Sequence, residues 1–460
     1  MIQLALILLG GDFVKRQWPW LAGIGLVWAM LGVAIFIDAL DGVIYFPLHL
    51  FGYLLLIEAV ATLCMTSPTS DAASLLRKLR GVAFLVLGLL MVDAHHAANV
   101  ILAMAFGMAF LVDGGFRIAA AAVVRFQGWF LSLLTGLFEV GFAAFMFEPY
   151  PTFYQGTVPY CIGMGLFLSG VGLLRRAIRL ARRPERISIA ALQSKDLPDA
   201  SPPAVRTSDL TQAAGLLVVH VWTPIGSAGQ TIPHPLVDRY IAAVDTSGVV
   251  STGHAALECT PDIYVSHYPA VEIDRSSASF SRALRATADN NVAGKFQPSY
   301  EVEAAGWCDS TAHVVFDRFD RGRLAMFWDI YRQDTTYNLT NRNCSSSVAH
   351  CLDAALEGSL GAHGTGLAPF FRAIFNPELW FAAQLRKRAE AMAWTPGLVL
   401  DYARALQAAI TPAPLGWESL WSAMQRSWRY GVAVFATRAS RQVKAARDKS
   451  GVGSQQKDGR

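Results

Sequence analysis

The sequence predicts a two-part chain: an all-α bundle of six transmembrane helices built as three helical-hairpin repeats, followed by an α+β domain and C-terminal helices. Three observations carry this reading. Over 460 residues, 53% are hydrophobic and 16% charged, and the mean hydropathy of +0.34 is too high for soluble domains alone. The apolar excess is uneven, running from Trp18 to Arg182, whereas Arg183 onward has ordinary polarity. Within the apolar half the pattern also repeats itself.

A bilayer core of about 30 Å needs about 20 helical residues, and six runs approach that length: 19–37, 44–64, 79–97, 98–123, 129–147 and 158–178. The opening MIQLALILLGGD has neither a basic start nor a small-residue cleavage site, so no removable leader is expected and these residues are expected along the membrane surface. GLVWAMLGVAIFID, GVAFLVLGLLMVD and GLFEVGFAAFMFE end in Asp38, Asp93 and Glu148, one acid every 55 residues. The partner segments put Gly52, Gly107 and Gly163 in register, followed by Glu58, Asp113 and Ser169. One hairpin used three times explains both series, and glycines at one depth suggest close helix contact.

Thirteen Lys and Arg residues fall on one side of these spans, from Lys15 to Arg186, and none on the opposite loops. The positive-inside rule then places both termini in the cytoplasm of a multi-pass protein. The opposite side collects Asp38, Asp93, His95, His96 and Glu148, a candidate acid-sensing layer because imidazoles beside carboxylates titrate in mild acid. Glu139 and Asp113 are intramembrane acids, expensive there and functional candidates on that ground, with Arg117 one turn from Asp113.

The repeated hairpin, the phrase FLVDGGFRIAAA from Phe110 and the Gly128-Trp129 pair resemble the six-helix HdeD-like acid-resistance membrane family over residues 13–183. The resemblance implies a bacterial inner-membrane stress-resistance protein; it supplies no chemistry.

The domain boundaries follow. Residues 1–183 form the membrane domain and 184–212 a Ser-, Asp- and Pro-containing linker. Residues 213–360 form the α+β domain, 361–447 a helical extension and 448–460 a polar tail expected to be disordered. Strands are expected at 214–222, 236–245, 253–259, 262–269, YEVEAAGW and AHVVF. Helices are expected at 319–333, with Asp320 as N-cap, and in CSSSVAHCLDAALEG, closed by Gly358. The basic, aromatic segments after Pro377 suit either an amphipathic helix on an anionic leaflet or packing against the domain.

Cys344 opens a helix, where free amides and the dipole favour a thiolate. A symmetric turn centred between residues 260 and 261 pairs positions whose numbers sum to 521, which sets His254 opposite His267. One imidazole then activates the thiol and the other orients it, with Ser266 and Tyr268 as alternative hydrogen-bonding neighbours. Glu258, four residues along one strand and roughly 13 Å away, is a poorer third member. Cys259, Cys308 and Cys351 read as inert buried thiols. Two histidines and a cysteine lack a fourth ligand at short spacing, so no metal and no cofactor is expected.

The order GHAALE, YVSHYP, YNLTNRNCSSSVAHCL is similar to the circularly permuted papain-like superfamily, which includes NlpC-type peptidases and lecithin–retinol acyltransferase-like enzymes. The resemblance covers residues 214–358 and makes Cys344 the nucleophile, His254 the base and His267 the third polar member, with Asn343 or nearby amides supporting the oxyanion. The segment around His267 ends in Tyr-Pro and departs from that pattern. The implied activity is cysteine hydrolase or acyltransferase chemistry on amide or ester bonds of a membrane-near protein or lipid. The alternative is a non-enzymatic acid-stress factor with a degenerate binding domain. The partners expected are the lipid bilayer and that substrate; a net charge of +4 without a recognition motif excludes nucleic acid, and homo-oligomers stay open.

Overall fold

A computed structural model of the chain describes residues 1–40, 48–65, 72–93, 96–126, 128–150, 152–182, 188–190, 215–223, 243–244, 250–251, 253–271, 273, 284–361 and 366–411. Its contacts divide it into two units, 1–52 with 90–411, and 53–89 with 412–460.

Six apolar helices stand where the hydropathy places them: α2 (Gly11–Asp38), α3 (Leu48–Met65), α4 (Ala72–Asp93), α5 (His96–Val124), α6 (Trp129–Phe147) and α7 (Thr157–Ala181). Among the described residues, four helices, α2, α5, α6 and α7, are long and apolar enough to cross a membrane. In α4, Arg77, Lys78 and Arg80 leave only Gly81 to Val92 as an uncharged run, about 18 Å of helix. Arg80 reaches Glu58 of α3 at 3.2 Å.

With little hydrophobic drive between helices in lipid, close backbone approach supplies the attraction. A Cβ on Gly32 of α2 would sit 2.5 Å from the Phe167 amide nitrogen of α7, and one on Gly170 would sit 2.5 Å from the Ala29 nitrogen. Gly163 and Gly25 complete this contact, so the last described membrane helix returns to pack on α2. Gly114 of α5 and Gly136 of α6 face each other's carbonyls in the same way.

The first helix corrects one expectation. Ile2–Leu9 forms α1, and every side chain from Leu4 to Leu9 is buried in the core of the α+β domain. The Gly358 amide donates to the Ile7 carbonyl (3.0 Å) and the Leu360 amide to Leu8 (2.8 Å). The run Leu4–Leu9, apolar all round, has no polar face to leave in water at a membrane surface, so it is buried on every side.

That core lies on one face of a four-stranded antiparallel sheet of order β5-β4-β1-β8, formed by β1 (Leu217–Trp222), β4 (His254–Cys259), β5 (Ile263–Val265) and β8 (Ala312–Phe316). Alternation sends Val219, Val221, Ala255 and Leu257 inward and His220, Trp222, His254 and Glu258 to the other face. Against the inner face packs a helix of residues Cys344–Ala355, the tenth in chain order (α10), with Val348, Cys351, Leu352 and Ala355 buried. Before it come α8 (Tyr300–Gly306) and α9 (Arg321–Tyr331), which starts at Asp320 as expected, the carboxylate accepting from the Arg323 amide at 2.9 Å. After it, α11 (Ala368–Ile374), α12 (Pro377–Ala391) and α13 (Pro396–Ile410) contribute to the same core. No boundary falls at residue 360.

Smaller ladders pair β2 (Ala243–Val244) with β3 (Val250–Ser251), and β6 (His267–Pro269), β7 (Val292–Phe296) and β9 (Thr336–Tyr337) in the order β6-β7-β9. The strand expected over 236–245 lies outside the described residues except for β2. YEVEAAGW, expected as a strand, is α8: Ser299 caps it by accepting from the Val302 amide (3.4 Å), and Glu301 and Glu303 sit in its first turn, where the dipole favours acids. The expected linker is anchored at its start, because buried Glu357 just past α10 accepts from the Ser188 hydroxyl (2.6 Å), the Ile189 amide (2.8 Å), the Ala190 amide (3.2 Å) and Arg323 (3.0 Å). The rest of the linker, residues 412–447 and the 448–460 tail lie outside the described residues.

Gly32→Leu is expected to cost about 1–3 kcal/mol, the usual range for overpacking, whereas Gly23→Leu, whose Cβ meets nothing within 4 Å, is neutral. Thermal melting of the full chain in detergent micelles checks both.

Candidate active site

Cys344 is the first residue of α10, and the residue before it builds the helix start. The Asn343 side-chain oxygen accepts from the Ser346 amide (2.8 Å), while the Ser346 hydroxyl accepts from the Asn343 amide (2.9 Å), a reciprocal capping box. The Asn343 side-chain nitrogen donates to the Leu339 (2.8 Å) and Trp394 (2.9 Å) carbonyls. Every polar atom of this side chain is therefore committed, which corrects its expected oxyanion role. The amides of Cys344 and Ser345, which a helix start leaves without intrahelical partners, remain as donors at this end of α10.

His254 opens β4 beside that helix start, close enough to the Cys344 sulfur that each group shifts the ionisation of the other. Burial opposes ionisation of both groups, yet the pairing outweighs it. The Cys344 thiol is held below its ordinary range, helped by the imidazole, the Ser345 hydroxyl and the Ala255 amide, while the His254 imidazole is pushed up by the sulfur and by Glu303. Each group thus favours the charged form of the other. The Ser345 hydroxyl stands 3.7 Å from the sulfur.

The third position departs from the expectation. The β4–β5 register pairs Leu257 with Val265 and Cys259 with Ile263, so partners sum to 522. The turn holds three residues, 260–262, where a two-residue turn would give 521. One added residue sends each later side chain to the opposite face. Tyr268 therefore takes the place opposite His254, their rings stacked with centroids 4.2 Å apart.

His267 faces away, its Nε2–H donating to the Thr335 carbonyl (3.4 Å) and its Nδ1 3.3 Å from the Ser347 hydroxyl of α10. Burial lowers it to about 4. It is a neutral packing histidine.

The group that reaches His254 is Glu303 of α8. His254 Nε2 bonds the Ser266 hydroxyl at 2.9 Å and lies 3.1 Å from a Glu303 oxygen, which leaves Nδ1 for the sulfur. The Tyr264 (2.5 Å) and Tyr268 (2.6 Å) hydroxyls both donate to Glu303. Burial and the carboxylate push both phenols above their ordinary range, so they remain donors. Sequence reading missed Glu303 because its segment looked like a strand; the signal was Ser299 followed by two acids, an N-terminal helix pattern. Ser266 and Tyr268, the alternatives to His267, do reach the site, while Glu258 turns to His220 (3.0 Å).

Burial pushes the Cys351 and Cys259 thiols up, as inert core thiols require. Asp38 closes α2, Asp93 closes α4, His96 opens α5 and Glu148 follows α6; His95 lies outside the described residues. Asp113 and Glu139 both bind Arg117, at 3.0 and 2.8 Å. Among the described residues no group of three or more His, Cys, Asp or Glu side chains is arranged to hold a metal. Compared with family models, curated proteins and solved structures, the chain matches none of them.

Because the thiol is held low by His254, Cys344 alkylation by iodoacetamide is expected to rise at a pH below the ordinary thiol range near 8.5 and to move upward in His254→Ala; a rate–pH profile measures it. His267, with a folded value near 4 against an ordinary 6.5, binds its proton later than the unfolded chain does. Stability is thus full above about 6.5 and falls as pH drops toward 4. A His267→Gln variant loses less over that window, read by urea unfolding at stepped pH.

Proposed function

We propose that this chain is a membrane-bound cysteine hydrolase or acyltransferase acting on amide or ester bonds near the bilayer. The observation that carries the reading is the assembly of a helix-opening thiol, an imidazole and a buried carboxylate at Cys344, His254 and Glu303, the parts a Cys–His–acid centre needs. The Cys344 thiolate attacks the carbonyl carbon, and the amides of Cys344 and Ser345 receive the oxyanion. The His254 imidazolium gives its proton to the leaving nitrogen or oxygen as the bond to carbon breaks. Water or a second acceptor, deprotonated by His254, then releases the acyl group from sulfur. Glu303, held by two tyrosine hydroxyls, and Ser266 fix the ring. Two similarities support the wider setting: that of residues 214–358 to permuted papain-like enzymes, and that of residues 13–183 to the HdeD-like family. They favour a bacterial inner (plasma) membrane, cytoplasmic termini and a part in acid-stress resistance, and membrane tethering raises the effective concentration of membrane-near substrates.

One observation favours a second reading. Cys344 is 8% and His254 4% exposed, which suits a non-enzymatic acid-stress factor whose soluble domain only binds. An acyl-directed thiol probe decides between the two: incorporation lost in Cys344→Ala but kept in Cys351→Ala supports the enzyme, and equal labelling of both variants refutes it.

A further inference from the structure

The sheet face that carries His254 holds a second imidazole set up in the same way. His220 lies on β1 two residues before Trp222, the cross-strand partner of His254, so both histidines emerge on one face. His220 Nε2 bonds a Glu258 oxygen at 3.0 Å, and its Nδ1 lies 3.3 Å from the Ser310 hydroxyl. The Tyr300 ring stacks on it with centroids 4.2 Å apart and planes 20° from parallel, the same figures as Tyr268 on His254. Each imidazole thus has an aromatic plate, a glutamate at Nε2 and a nucleophile-class atom at the other nitrogen.

The tautomer follows from the chemistry. A carboxylate only accepts, so Nε2 carries the ring proton and Nδ1 is left to accept from the Ser310 hydroxyl. Burial is the largest influence on His220 and outweighs the attraction of Glu258, holding the imidazole below its ordinary 6.5. The ring is therefore neutral at neutral pH, the form in which it can take a proton from a serine. Ser310 is half-buried, more open than Cys344. The Tyr300 hydroxyl accepts from the Ser310 amide (3.1 Å) and donates to Asp309 (3.4 Å); it lies 3.4 Å from the Ser310 hydroxyl, so by turning from Asp309 it reaches an oxyanion formed there. Beside it the half-exposed Trp307 stacks on Trp222, centroids 5.9 Å apart, an apolar wall.

We propose that Ser310, His220 and Glu258 form a second hydrolytic centre, separate from Cys344, that cleaves carboxylic esters whose acyl group is apolar. Ser310 Oγ bonds to the ester carbonyl carbon while its proton passes to His220 Nδ1. The C–O bond to the alcohol breaks and the alkoxide takes that proton. Water, deprotonated by the same nitrogen, then attacks the acyl-serine to release the acid and restore Ser310. An alcohol leaves without the full protonation an amine needs, which suits a site with a single side-chain oxyanion donor.

The test uses full-length Cys344→Ala protein in detergent, treated with a fluorophosphonate probe, with the adduct mapped by peptide mass spectrometry. The expected result is phosphonylation of Ser310, together with p-nitrophenyl butyrate hydrolysis that falls at least about tenfold in the additional variants Ser310→Ala and Glu258→Gln. No adduct at Ser310, or hydrolysis undiminished in Ser310→Ala, overturns the proposal. The map reads protein with Ser310 intact, so it stands even if a variant fails to fold. Thiol labelling of the parent chain is independent of this outcome and keeps the two centres separable.

Discussion

Both ends of α10 are tied down by buried polar bonds, and the rest of the domain is arranged around that constraint. At its start, Asn343 and Ser346 satisfy each other's amides, so the sulfur of Cys344 is presented at a fixed place on the dipole's positive end. Past its other end, Glu357 gathers Arg323 and the chain that emerges from α7, and burial pushes its carboxyl up against that pairing. A buried carboxylate is tolerable only when its lone pairs are filled. The same residue, just past α10, therefore pins the segment that follows α7 beside it. The hydrophobic α1, bonded to Gly358 and Leu360, threads the opposite terminus of the membrane region into the same core. Membrane and soluble parts share one interior in the unit formed by residues 1–52 and 90–411.

On the outer face of the sheet the governing constraint is alternation. Trp222, His254, His220 and Glu258 share that face because strand side chains alternate, and each imidazole is covered by a tyrosine ring. Tyr264 and Tyr268 reach one glutamate from two adjoining strands, which holds a carboxylate beside His254. His267, one residue from Tyr268, serves the inner face and packs on α10 through Ser347. Neighbours on one strand thus serve opposite faces of the sheet.

Much of the candidate site was legible. Cys344 at a helix start and His254 on a strand rest on local patterns, and those placements hold because caps and alternation act over a few residues. His267 and Asn343 were misassigned for opposite reasons. The first depended on whether a turn contains two or three residues, a difference that composition does not show but that inverts a strand's faces. The second is a side chain whose local bonds already use all its capacity, and the carbonyls of Leu339 and Trp394 that use it were invisible in sequence. Glu303 arrives from α8, some 50 residues from His254, and only folding brings them together.

The sequence by itself determined the apolar helices, the repeated glycines that let helices touch, the core-facing positions of α10 and the start of α9, because periodicity, capping and small side chains are local properties of the chain. Only the tertiary structure decided that α1 belongs to the core of the α+β domain and which acid meets which histidine. Those outcomes turn on strand register and on contacts between distant segments, where the energy lies in pairings that no window of sequence contains.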